Sequence, residues 1–123
     1  MALSKELVEN CKKLLMGKKV ELMNRVRDSR SSLNNTDESK GGDEGDQTVR
    51  ALAESEFLRM NERVRFQLME IETALARIEN GIFGVCEETE EPIEEERLLA
   101  IPWTRLSIEG AEIRESLQKK YAH

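Results

Sequence analysis

Residues Phe83–Ile113 read FGVCEETEEPIEEERLLAIPWTRLSIEGAEI. A single thiol, Cys86, precedes a run of seven glutamates, Glu87, Glu88, Glu90, Glu91, Glu94, Glu95 and Glu96, interrupted by Pro92-Ile93. A second proline, Pro102, stands before Trp103. Prolines at these points break long regular elements, so the segment through about Pro102 is expected to be short, irregular or hairpin-like. A last helix is expected from Ser107 to Tyr121, with Ile108, Ala111, Ile113 and Leu117 as its inner face. Residues 81–123 therefore read as a small C-terminal domain.

Upstream the pattern changes to long helices. Asn80-Gly81 marks a helix end, because glycine just past the last periodic residue supplies a left-handed C-cap. Before it, Phe57, Met60, Val64, Leu68, Ile71, Leu75 and Ile78 recur at threes and fours, a heptad seam on a helix from near Asp46 to about Asn80. From Ala2 to about Leu33 a second stripe, Leu7, Cys11, Leu15, Leu22, Val26 and Leu33, recurs at fours and sevens. Between them lies NNTDESKGGDEGD, residues 34–46, with three glycines and no apolar side chain. That segment reads as a tip loop, disordered from about Asn34 to Glu44 for want of an apolar anchor. The fold class is mostly α: a long antiparallel coiled-coil hairpin over residues 1–80 with its tip at about 34–46, then the C-terminal domain. Helices of this length make an arm of roughly 50 Å.

Composition narrows the function. With 19 Lys and Arg against 25 Asp and Glu the formal charge is −6, which argues against direct specific binding to duplex DNA, since that rests on neutralising phosphates. A protein partner fits better. No apolar run spans a membrane and residues 1–20 are too charged for a signal peptide, so the expected location is cytoplasmic. No Ser-His-Asp set, phosphate-cradling glycine loop or internal histidine suggests an enzyme. His123, the final residue, is given no catalytic or metal role.

The framing residues Ile82-Phe83-Gly84, Pro92-Ile93, Arg97-Leu98 and Pro102 resemble the DksA/TraR family of bacterial transcription factors. In that family four thiolates spaced C-x2-C-x17-C-x2-C hold zinc between a coiled-coil hairpin and a C-terminal helix. With Cys86 as the first ligand, the others fall on Thr89, Ser107 and Gly110. One thiol with two hydroxyls does not make a tetrahedral structural site, so the C-terminal domain is expected to be zinc-ribbon-like without zinc, and no cofactor is expected. Counted back without a gap, the family's tip motif D-x-x-D-x-A falls on Asp43, Asp46 and Thr48. By this resemblance the chain is expected to start at the first arm helix, without the preceding segment of longer members.

The resemblance implies a regulator that binds bacterial RNA polymerase through its secondary channel, carrying the Asp43/Asp46 tip towards the catalytic magnesium. The plainer reading of these acids is a helix start, where carboxylates cap free amides and oppose the dipole. Thr48 departs from the family's alanine, and burying its hydroxyl unpaired would cost roughly 1–3 kcal/mol. The alternative is an adaptor or structural protein that keeps the hairpin for another partner. The family's basic positions for guanosine tetraphosphate (ppGpp) correspond to Glu70, Ile101 and Ala111, so ppGpp binding is expected to be weak or absent. The core replacing the metal is drawn from Ile82, Phe83, Ile93, Leu98, Leu99, Ile101, Trp103, Leu106 and Ile108, with Trp103 filling the gap. Cys86 reads as a core thiol or a redox sensor, its pKa raised by Glu87-Glu88. Cys11 reads as a seam residue. The glutamate run reads as a solvated face or a docking surface.

Overall fold

Ser4 opens the first helix: its Oγ accepts the Leu7 amide at 3.1 Å, satisfying one of the free N–H groups of a helix start. The computed structural model describes the backbone of residues 3–38 and 44–121 and the side chains of residues 3–32 and 47–121. Among the described residues four helices follow in order: α1 (Lys5–Glu38), α2 (Glu44–Glu79), α3 (Glu95–Ala100) and α4 (Ile108–Tyr121). The long α1/α2 hairpin and the short C-terminal helices make the chain mostly α, as expected. Within the described residues the helices reach further than their polarity suggests, and residues 39–43 of the expected tip lie outside them. Asn34–Glu38 continue α1 and α2 starts at Glu44, two residues before Asp46. The polar residues from 34 to 38 contain no glycine or proline, so nothing local stops the helix there.

The chain divides into two compact units, Met1–Gly17 with Glu70–His123, and Lys18–Met69. In the second, Leu22 and Val64 are buried, and Val26, Phe57 and Met60 are half-buried. In the first, Leu7, Cys11, Cys86, Ile93 and Leu98 form the core, with Leu3, Phe83 and Leu106 packed on it. Leu15, Ile71 and Ala74 are also buried. The seam read from the sequence is therefore the buried face, and Cys11 lies in it. Leu33 lies outside the described side chains.

Two expectations about the small core are corrected. Trp103 is only half-buried and stands outside the core cluster, while Ile82, Leu99 and Ile108 are exposed. The centre is taken instead by Leu98, carried inward on the short helix α3, which the acidic sequence had concealed. The face of α4 turned inward is also different. Gly110 is its one buried residue, Ala111 and Arg114 are half-buried, and Ile108, Ile113 and Leu117 are exposed.

Between α2 and α3 the chain makes a knuckle. Gly81, at φ 74°, ends α2 as expected: its amide donates to the Ile78 carbonyl at 3.2 Å and the Ile82 amide to that of Arg77 at 3.0 Å, a Schellman C-cap. The chain then reverses through a single antiparallel bridge, Val85 to Pro92. The Cys86 amide donates to the Glu91 carbonyl at 2.8 Å and the Ile93 amide to that of Gly84 at 2.8 Å, which brings Cys86 into the core.

Candidate functional site

The four positions of the ribbon spacing, Cys86, Thr89, Ser107 and Gly110, converge. Thr89 donates its amide to the Cys86 sulfur at 3.5 Å. Ser107 is the N-cap of α4, its Oγ accepting the Gly110 amide at 3.0 Å. A β-carbon built on Gly110 would meet Cys86 Sγ well inside van der Waals contact, and Ser107 Oγ lies 3.4 Å from the same point. The sulfur thus occupies the space that a fourth ligand's side chain needs. One thiol, two hydroxyls and a glycine do not fit a tetrahedral zinc. Among the described residues no cluster of three or more His, Cys, Asp or Glu has metal-holding geometry.

The electrostatics of Cys86 run opposite to the expectation. Burial alone would push its thiol up, but hydrogen bonds from Ser107 and Thr89, through side chain and backbone, outweigh burial and bring it down to about 6. The adjacent Glu87 and Glu88 do not oppose this, because both side chains are turned to arginines. Cys11 behaves as a core thiol: burial raises its pKa, and its sulfur donates to the Leu98 carbonyl at 3.7 Å.

Neither reading of the glutamate run describes all of it. Glu87 pairs with Arg77 of α2, with Arg114 of α4 at 3.4 Å and with Arg105 at 3.8 Å. Glu88 takes Arg114 Nε at 3.0 Å, the main cause of that guanidinium's raised pKa. Glu94 accepts the Ile108 amide at 3.2 Å, and Glu95 and Glu96 lie in the first turn of α3. These partners lie 10 to 27 residues apart in the chain, so no local spacing announced them. Ser107 directly before an apolar-periodic segment was the readable sign of the α4 cap.

Of the tip residues, Asp43 and the side chain of Asp46 lie outside the described residues. Thr48 is exposed in the second turn of α2. Glu70 and Ile101, two of the ppGpp-related positions, line a cavity of about 340 Å³ with Trp103, Arg97, Arg105 and Arg114. Its arginines are engaged within the protein: Arg97 Nε donates to the Leu106 carbonyl at 2.7 Å, Arg105 pairs with Glu70 at 2.9 Å, and Arg114 holds Glu88. Ala111 is half-buried on α4.

Comparison with known proteins agrees with this geometry. Residues 81–116 match the prokaryotic dksA/traR C4-type zinc finger. An RNA polymerase-binding transcription factor DksA of Caulobacter vibrioides is 34% identical over 91% of this chain and 78% of its own length. A general stress protein 16O of Bacillus subtilis is 26% identical over 96% and 75%. The structure of transcription factor DksA2 from Pseudomonas aeruginosa superposes with a TM-score of 0.83 at 31% identity, covering 94% of this chain and 88% of that one.

Proposed function

Since the chain belongs to the DksA/TraR family, we propose that it regulates bacterial transcription by binding RNA polymerase through the secondary channel, as a protein-binding factor and not an enzyme. The observation that carries the reading is likeness along nearly the whole chain, hairpin and ribbon together, to a factor whose name states polymerase binding. The finer parts are specific to this sequence. Asp43 and Asp46 are the carboxylates that approach the catalytic magnesium, hard oxygen ligands carried on a stiff helical arm. Thr48, where the family carries alanine, weakens the tip's contact through the added bulk of a β-branched side chain. The ribbon works without zinc, because the donor set at Cys86, Thr89, Ser107 and Gly110 cannot coordinate it. Sensitivity to ppGpp is weak or absent: Glu70 repels phosphate and the nearby arginines already have carboxylate or carbonyl partners. The partner is polymerase and not promoter DNA, in keeping with the net charge of −6. Among the described residues no helix is long and apolar enough to cross a membrane.

The test is competition for RNA polymerase core enzyme against a labelled secondary-channel factor, at fixed salt, with the wild type beside Asp43→Asn/Asp46→Asn. Displacement by both proteins, with regulation of transcription lost only in the double variant, is the expected result. Absence of displacement well above micromolar concentration would favour an adaptor that uses the same hairpin for another protein.

A further inference from the structure

We propose that Glu87 is the cross-link that orients α4 on α2, the geometric task that a four-thiolate metal performs in a C4 ribbon; the inference rests on the reading that this ribbon holds no zinc. Glu87 follows Cys86 directly, so the knuckle that carries the first ligand position also carries the cross-link. Its carboxylate meets three arginines from three places: Arg77 near the end of α2, Arg105 in the segment before α4, and Arg114 in the second turn of α4. Two further carboxylates complete the set, Glu70 on Arg105 and Glu88 on Arg114, giving three acids and three guanidiniums.

Several observations separate this hub from an ordinary surface pair. The Arg77 side chain is 16% exposed and that of Glu87 30%, so solvent and salt screen them less than fully exposed ions. The backbone reinforces the same junction, the Glu87 amide donating to the Arg105 carbonyl at 2.9 Å. Arg105 Nε is buried without a hydrogen-bond partner, so the orientation of this guanidinium is set by what its terminal nitrogens reach: Glu70, Glu87 and Thr73 Oγ1. On α4 itself only Gly110 is buried. A helix with so little apolar burial is held by its cap at Ser107, by the Glu94 carboxylate on its Ile108 amide and by Arg114.

Hydrogen exchange on the full chain, after chelation and with metal content measured, tests the proposal in wild type, Glu87→Gln and Glu91→Gln. Glu91 is exposed and outside the hub. Glu87→Gln is expected to speed exchange in α4 and residues 103–106 about tenfold, with amides around Val64 unchanged and Glu91→Gln like wild type. Unchanged exchange of α4 in Glu87→Gln, or equal acceleration by Glu91→Gln, would overturn it. Should Glu87→Gln unfold the whole unit, Arg114→Gln decides: acceleration confined to α4 supports the hub, and none refutes it. Stoichiometric zinc before chelation would count against zinc independence alone, because the exchange comparison is made on metal-free protein.

Discussion

A β-carbon at position 110 would enter the Cys86 sulfur. In an open helix Gly→Ala is stabilising by about 0.8–1.0 kcal/mol, so here the sign itself is informative. Gly110→Ala is expected to destabilise by about 1–3 kcal/mol, the usual range for overpacking, read as a lower urea midpoint. A raised midpoint would mean that the thiol rotates aside. Cys86 also predicts a pH dependence. Its folded pKa, about 6, lies below the ordinary thiol value of 9.0, so the unfolded chain binds more protons between these values and stability rises with pH across that window. The contribution is complete above the ordinary value and lost as pH falls through about 6. Cys86→Ala should flatten this slope and remove the low-pH step in ultraviolet thiolate absorbance. Cys11, raised by burial, cannot supply that step.

Short elements of the ribbon depend on different forces. Structural zinc in small peptides contributes ~10–16 kcal/mol of apparent folding energy, whereas exposed ion pairs give about 0.2–1 kcal/mol each. The arginine–glutamate hub can therefore orient α4 but cannot replace that energy. In a ribbon without zinc, as proposed, burial supplies it, through Leu7, Ile93 and Leu98 with Leu3, Phe83 and Leu106, at about 1.5–3 kcal/mol for each large side chain fully buried. Leu98→Ala is expected to cost about 2–5 kcal/mol, and Trp103→Ala clearly less because the ring is half-exposed. Calorimetry of the two variants checks the order, and equal losses would return Trp103 to the core. Ser107→Ala should cost about 1 kcal/mol for the α4 cap. It should also raise the Cys86 pKa, since a donor to the sulfur is lost.

For the whole molecule, the donor set proposed at Cys86, Thr89, Ser107 and Gly110 carries a direct expectation: chelators should leave the unfolding curve unchanged, where a zinc-dependent ribbon would unfold. A large loss of stability on chelation would refute zinc independence. The division into two units has its own consequence. Leu7 and Cys11 belong to the ribbon's core although they stand on the first helix, so shortening α1 from its start should destabilise the C-terminal domain before the Lys18–Met69 unit. Local exchange rates distinguish the two.

By itself the sequence determined the two long helices and their buried face, because Leu7, Cys11, Leu15 and Leu22 on α1, and Val64 and Ile71 on α2, repeat at a period that only a helix can turn to one side. It also determined the stop at Gly81, a local matter of backbone conformation, and, with only two cysteines in the chain, the expectation of a ribbon short of thiol ligands. Only the tertiary structure decided which apolar residues fill the ribbon, that Leu98 goes inside and Trp103 stays half out, and that Gly110, not the isoleucines of α4, faces inward. It likewise decided the sign of the Cys86 shift and the partners of Glu87. These depend on residues brought together across the chain by chain reversal, and neither hydrophobic period nor charge count records which side chain a fold places within reach of another.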